Sequence, residues 1–314
     1  VIKVPDHRVD RLAEIFKPKK TTYAEFEFVD VAPNTAAGED KALDAAALTT
    51  LKNVDALVHV VRAFENPNVL HPLGSVDPAR DCAALEEEIQ FSDLIVIEKR
   101  LERLAKEGKK DNEVALLQRC RAHIETGAPL RTLDLSEQER KLLQGFTFLS
   151  IKPLLVVGNY GEDRIGQDDP AHLDACGAAQ GFQPIAFCGA MEMELAELPE
   201  DERAEFRKDL GLGEESRTLF IQRAYESLGL MSFLTAGAPE VRAWTIPKHT
   251  KAPAAAGVIH SDIERGFIRA EIVRYDDFIA AGSTAKAKEQ GHFRLEGKEY
   301  VIQDGDIVHF LFNV

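Results

Sequence analysis

Two kinds of apolar pattern alternate along the first two thirds of the chain. Mostly apolar runs occupy residues 55–62, 153–158 and 184–189, and each ends at glycine or at polar residues. β-Branched residues are frequent in these runs, which is typical of parallel strands that are covered on both faces. Residues 24–31 alternate instead and predict a further strand that ends near Asp30. With helical segments between them, these strands predict a doubly wound α/β sheet.

A long helical repeat interrupts this alternation at residues 77–133. Asp77 followed by Pro78 is a favourable helix start, because Asp caps the first turn and Pro is tolerated there. Apolar residues then recur every three or four positions on two segments, which are separated by the polar stretch 107–112. The first segment has the spacing of a coiled-coil seam. We therefore predict a projecting antiparallel helical hairpin as an insertion.

The pattern changes again near Met231. Short strand-like runs occupy residues 241–246, 266–273, 294–301 and 307–312, and a helical piece lies at 275–281. A small mixed sheet with a helix on one face fits this content. The predicted organisation is thus an α/β domain formed by residues 1–76 and 134–230, the hairpin at 77–133, and an α+β domain at 231–314.

Composition narrows the class of protein. With 45% hydrophobic and 29% charged residues among 314, the chain is typical of a globular protein. It has no apolar run long enough for a membrane helix and does not begin with a signal-peptide pattern, so we expect a cytoplasmic protein without a membrane partner. The cysteines (Cys82, Cys120, Cys176 and Cys188) are scattered without the spacing of a zinc site, and neither disulfides nor zinc is expected.

The net charge is strongly negative but unevenly distributed. A formal charge of −15 argues against a general nucleic-acid binder and against recognition of DNA sequence. From Met231 onward there are 10 Lys and Arg against 11 Asp and Glu, which leaves 28 against 42 for the residues before it. The C-terminal domain is therefore nearly neutral and could contact RNA or a ribosome without the acidic remainder of the chain doing so.

Candidate chemistry is concentrated after the strand at 153–158. Asn159 and Glu162 stand three residues apart, where open α/β sheets bind ligands. Asn159 can brace the loop while the Glu162 carboxylate accepts hydrogen bonds from a planar ligand. Taken alone, so short a motif is more simply explained as a turn that ends a strand. His59 lies inside an apolar run and is better explained as a core histidine than as a catalytic one.

Several segments together carry a specific resemblance. They are Phe233 to Ile246, Ala255 to Asp262, Arg265 to Glu271, Gln303 to Asp306 and Asn159 to Glu162. In these segments, and along nearly all of its length, the chain closely resembles the YchF / Obg-like ATPase family. The resemblance implies a Ras-like P-loop NTPase domain with a coiled-coil insertion, followed by a ubiquitin-like TGS domain. It also implies a preference for ATP over GTP, and a role at the ribosome or in stress signalling through the TGS domain and the coiled-coil arms.

The resemblance assigns roles to particular residues. Asn159 and Glu162 would form the base-specificity motif, in which Glu goes with adenine, and Tyr160 could stack on the base. A second base-contact loop would be formed by the backbone N–H groups of Cys188, Gly189 and Ala190. Asp30 would hold Mg²⁺ through water beside the bound ATP or GTP.

Two departures from the family pattern put hydrolysis in doubt, and no catalytic residue is assigned. No G-x-x-x-x-G-K-[S/T] motif is present in residues 1–314. In the family this loop precedes the position of Val1, so the coding sequence upstream is expected to show whether it is intact. The switch motif Asp-x-x-Gly has Pro33 in place of its glycine. The alternative hypothesis is therefore a degenerate paralogue that serves as a nucleotide-independent interaction scaffold. Metal-dependent hydrolysis is not favoured, because no ligand cluster supports it.

Overall fold

The computed structural model describes residues 1–31, 43–108, 111–175, 177, 183–210 and 216–313. The chain divides into two compact units. The first combines Val1–Val29 with Arg217–Val314, and the second is Asp30–Ser216. These bounds differ from the predicted domains, in which residues 1–29 belonged with the α/β part.

The first residues form four short elements: β1 (Ile2–Lys3), α1 (His7–Phe16), β2 (Lys20–Thr22) and β3 (Glu25–Phe26). Asp6 caps helix α1, since its carboxylate accepts a hydrogen bond from the backbone N–H of Arg8 at 2.9 Å. The prediction of a parallel strand at residues 24–31 is wrong. Only Glu25–Phe26 is a strand, and it pairs antiparallel with β1. The ring of Phe28 stacks on Phe220, 5.2 Å between centroids, so this segment packs within the first unit.

The second unit contains a parallel sheet surrounded by helices, as the predicted α/β class requires. Its elements are α2 (Ala45–Lys52), β4 (Leu57–Ala63), α3 (Pro78–Lys106), α4 (Asn112–Glu125), α5 (Glu137–Leu143), β5 (Leu154–Tyr160), β6 (Ile185–Phe187), α6 (Gly189–Glu197) and α7 (Glu200–Asp209). Three-residue 3₁₀ turns lie at Leu130–Thr132, Gln144–Phe146 and Glu162–Arg164.

The sheet of this unit has the order β4-β5-β6, and both neighbouring pairs are parallel. The central strand β5 is largely buried. Gly158 in β5 has no room for a side chain, because a Cβ there would lie 2.3 Å from the Cβ of Ala171. The glycine thus permits the close packing of residue 171 on the central strand.

Helices α3 and α4 form an antiparallel pair. Asp77 caps α3 as predicted, accepting from the N–H of Arg80 at 3.1 Å. Near the connection Arg100 Nε lies 2.7 Å from Glu113 Oε1, and at the other end Gln90 Nε2 donates to the Gly127 carbonyl at 3.4 Å. The helices share a buried cluster that includes Ile97, Leu104, Leu117, Cys120 and Ile124. The predicted helical hairpin is therefore present.

The remaining elements complete the first unit: α8 (Ser216–Ser227), β7 (Leu230–Ala236), β8 (Glu240–Pro247), α9 (Ala252–Ile259), α10 (Ser261–Arg265), β9 (Phe267–Arg274), α11 (Tyr275–Ala281), α12 (Thr284–Glu289), β10 (Arg294–Glu296) and β11 (Asp306–Phe312). The sheet has the order β10-β9-β11-β7-β8-β2. Strand β2 pairs in parallel with β8, which explains why residues 1–29 belong to this unit. In the described part of the chain, no helix is both long and apolar enough to span a bilayer.

Candidate functional site

Asn159 connects the end of the central strand to the start of helix α6. It pairs with Arg62 of β4 on one side and with Phe187 of β6 on the other. Its Oδ1 accepts a hydrogen bond from the N–H of Gly189 at 2.9 Å. A Cβ at residue 189 would lie 3.0 Å from that same oxygen, so glycine allows the close approach. The side chain of Asn159 thereby holds together the two loops that the sequence analysis singled out.

Two residues at this edge, Glu162 and Ala190, are exposed. Glu162 begins a 3₁₀ turn directly after β5 and is exposed. Ala190 is the second residue of α6 and is also exposed, whereas the N–H of Gly189 is already bonded to Asn159. The first N–H groups of a helix lack intrahelical partners. The edge thus offers a carboxylate acceptor and a backbone donor at the ends of neighbouring strands.

Tyr160 and Cys188 are placed differently from what a direct ligand contact requires. Tyr160 is only 8% exposed and Cys188 only 2%, and both belong to one buried cluster with Val61 and Val156. Burial raises the pKa of the Tyr160 hydroxyl. Little of the ring is therefore available for stacking on a base, and Cys188 could contribute only through its backbone.

Contrary to the prediction, Asp30 does not end a strand of the parallel sheet. It is exposed and lies in a segment without strand structure. Pro33 of the switch motif lies outside the described residues. Among the residues that are described, no group of three or more His, Cys, Asp or Glu could hold a metal ion. A single carboxylate is still compatible with Mg²⁺, since this ion is commonly held by one or two carboxylates together with phosphates and water.

The structure adds Arg62, which is the neighbour of Asn159 on β4, and His71 in the loop that follows β4. The Arg62 guanidinium donates to the carbonyls of Phe64 and Val69, both at 2.9 Å, and so orders the loop after β4. In the same loop His71 Nε2 lies 2.9 Å from Asp81 Oδ2. Neither residue was predicted from the sequence as a site residue. A histidine in a Pro- and Asn-rich loop directly after a buried strand was the available signal.

His59 has an environment that supports a structural role. It lies on β4, and burial lowers its pKa to about 4, although the charge of Asp81 acts in the opposite direction. The imidazole is therefore neutral near pH 7.

Comparisons with known proteins place this architecture in a family. Residues 230–313 match the family model YchF-GTPase_C, described as "Protein of unknown function (DUF933)". The chain is 42% identical to the "Ribosome-binding ATPase YchF" of Bacillus subtilis (strain 168), over all of this chain and 88% of that protein. The chain belongs to the YchF family. The YchF protein of Escherichia coli O157:H7, named in the same way, is 41% identical over the same shares of the two chains.

Solved structures agree with the YchF assignment. The structure titled "Structure of the Schizosaccharomyces pombe YchF GTPase" superposes with a TM-score of 0.85 at 30% identity, covering 99% of this chain and 86% of that one. A GTP-binding protein from Pyrococcus horikoshii OT3 superposes with a TM-score of 0.54 at 18% identity, covering 91% of this chain and 90% of that one. The latter shows likeness of fold alone. The predicted family and its mixed α/β fold are thus confirmed.

Proposed function

We propose that this YchF-family chain binds a purine nucleotide at the edge formed by β5 and α6, with ATP preferred over GTP, and that it associates with the ribosome. The observation that carries the proposal is the 2.9 Å hydrogen bond from Gly189 N–H to Asn159 Oδ1, which joins the two loops. The relatives from B. subtilis and E. coli are named ribosome-binding ATPases, which supports both parts of the proposal.

The preference for adenine follows from the chemistry of Glu162. An ionised carboxylate only accepts hydrogen bonds. Adenine carries an amino donor at the position where guanine carries a carbonyl acceptor. A Glu162 carboxylate directed at that position would bond adenine and repel guanine. The Ala190 N–H would contribute a donor to the same base, and Asp30 would hold Mg²⁺ through water at the phosphates.

Hydrolysis is proposed to be slow. Proline has no N–H, so Pro33 cannot donate the γ-phosphate contact that a glycine at this position of a Ras-like switch makes. A hydrogen bond to a charged group contributes roughly 1.5–3 kcal/mol, so its absence should remove about a tenfold preference for ATP over ADP. The presence of Pro33 in place of this glycine also favours the second candidate function, a nucleotide-independent scaffold.

Displacement of a fluorescent ATP analogue from the full chain tests the proposal. We expect ATP to compete at an about tenfold lower concentration than GTP, and ADP within a few-fold of ATP. Equal competition by ATP and GTP would contradict the base preference. Absence of binding at millimolar nucleotide would favour the scaffold instead.

A further inference from the structure

The edge formed by β2 and β8 brings together polar residues that lie far apart in the sequence. Parallel pairing aligns Lys20 with Glu240 and Thr22 with Arg242, so these four side chains share one face of the sheet. The Thr22 hydroxyl donates to Glu240 Oε1 at 2.7 Å, and Lys20 Nζ lies 3.4 Å from the same oxygen. The edge is thus an ordered polar surface.

Arg242 lies over the indole ring of Trp244 at this edge. Its guanidinium carbon is 3.8 Å from the ring centroid, and the indole is held in turn by stacking on Phe233 and by a 2.9 Å hydrogen bond from its Nε1 to the Thr235 hydroxyl. Arg242 Nε is buried without a hydrogen-bond partner among the described residues. The guanidinium is therefore held against the indole ring, and the Arg242 side chain is partly exposed to solvent.

The charge around this edge favours an anionic partner. Residues 1–29 and 217–314 contain 18 Lys and Arg against 17 Asp and Glu, which leaves 20 against 36 for residues 30–216. The first unit is thus near +1 and the second near −16. Lys17, Lys19 and Lys20 are all exposed beside β2, and the Lys19 N–H donates to the Ala238 carbonyl of the β7–β8 turn at 3.1 Å. A polyanion would therefore approach the protein here rather than at the second unit.

We infer that this edge binds single-stranded RNA, with an unpaired base stacked on the outer side of Arg242 and the adjoining phosphates near Lys19 and Lys20. Arginine planes stack on unpaired bases, and lysines supply the sequence-independent phosphate contacts. The inference deepens the proposed ribosome association by naming a contact surface and its ligand, and it rests on that proposal. Duplex RNA does not fit, because its bases are stacked within the helix.

Intrinsic fluorescence provides a direct probe, since Trp244 is the only tryptophan of the chain. The full chain is titrated at low salt with an oligouridine of about ten nucleotides. We expect a saturable change in Trp244 emission, with an apparent Kd that rises with added salt. Arg242→Lys keeps the positive charge but loses the planar guanidinium on which a base would stack, and it should raise the Kd about tenfold. The double variant Lys19→Gln with Lys20→Gln should also weaken binding.

A matched control is the double variant Lys286→Gln with Lys298→Gln. It removes the same charge from exposed positions elsewhere on the first unit and should leave the Kd unchanged. Wild-type affinity in both the Arg242→Lys and the Lys19/Lys20 variants would overturn the inference, and so would equal affinity for a blunt RNA duplex of the same length. If the protein sediments with ribosomes but does not bind the oligouridine, this inference fails while the proposed ribosome association stands.

Discussion

At the scale of single residues, Asn159 has the most consequential position in the second unit. It is on the central strand, partly buried, and its amide oxygen bonds the first N–H of α6. Asn159→Ala should therefore reduce the free energy of unfolding by about 1–2 kcal/mol, because the Gly189 N–H loses its acceptor. Asn159→Asp keeps an acceptor oxygen and should be closer to the wild type. Urea unfolding of the three proteins measures this, and equal loss in both variants would contradict the assigned role of the oxygen.

His59 gives the stability a defined pH dependence. Its pKa is lowered by burial from 6.5 to about 4, so the unfolded chain binds a proton first as the pH falls. The stabilisation from the neutral imidazole is complete above about pH 6.5 and is lost towards pH 4, by an amount on the order of 2–3 kcal/mol. Unfolding free energies at pH 7 and pH 4.5 should differ less in His59→Gln than in the wild type. The exposed His309→Gln should keep the wild-type difference, and an unchanged slope in His59→Gln would show that His59 titrates normally.

The positions of individual side chains were only partly predictable from the sequence. The pairing of Asn159 with residue 189 follows from two loops at the ends of adjacent parallel strands. The burial of Tyr160 was missed, because β5 continues through this residue instead of ending at Gly158. Successive strand residues face opposite sides of a sheet, so Tyr160 enters the core next to the partly exposed Asn159.

At the scale of elements, Asp93 anchors the helical hairpin to the chain that enters β5. It is 1% exposed on α3, and its two carboxylate oxygens accept from the N–H groups of Leu149 and Ser150 at 2.8 and 2.7 Å. Asp93→Ala leaves two buried donors unpaired and should cost about 2–4 kcal/mol. Asp93→Asn retains one acceptor and should cost less. Thermal or urea unfolding decides the ranking, and a neutral Asp93→Ala would show that water replaces the carboxylate.

Caps and long repeats made some elements predictable. The cap at Asp77 is formed as expected, and Ser136 and Glu139 form a capping box at the start of α5. Strand β7 was not predicted as a strand, although Leu230–Ala236 is one of the two central strands of the larger sheet. Helix α9 was missed because Ala-rich, short helices such as Ala252–Ile259 owe their stability to buried alanines and not to an amphipathic repeat.

At the scale of the whole molecule, the N-terminal segment (residues 1–29) and the C-terminal part of the chain share one sheet. Val9 and Leu12 of α1 are fully buried in the cluster that includes Leu234 and Val241. Deleting the residues from 231 onward would expose these apolar side chains. Loss of ribosome binding after such a deletion would then have two explanations, the loss of a contact surface or the unfolding of the remaining unit. Charge substitution within the intact chain separates them.

The uneven charge predicts how ribosome association depends on salt. Lys248 and Lys251 are exposed on the near-neutral unit. Their joint change to Glu should lower the fraction that sediments with ribosomes, and added salt should lower it in the wild type. The joint change of Lys141 and Lys208, exposed in the acidic unit, to Glu is the matched control and should have little effect. Salt-independent sedimentation would refute an rRNA phosphate contact.

The proposed base preference is tested most directly by nucleotide competition in the Glu162→Gln variant. In the proposed site, the carboxylate of Glu162 would discriminate adenine from guanine because a carboxylate can only accept hydrogen bonds, whereas an amide can both donate and accept. We predict that ATP outcompetes GTP in the wild type and that Glu162→Gln reduces this preference by roughly 1–3 kcal/mol. Glu194→Gln, an equal charge change at an exposed position of α6, should preserve the wild-type ratio. An ATP-to-GTP ratio that is the same in the wild type and in Glu162→Gln would contradict the assignment of this edge as the base-specificity site.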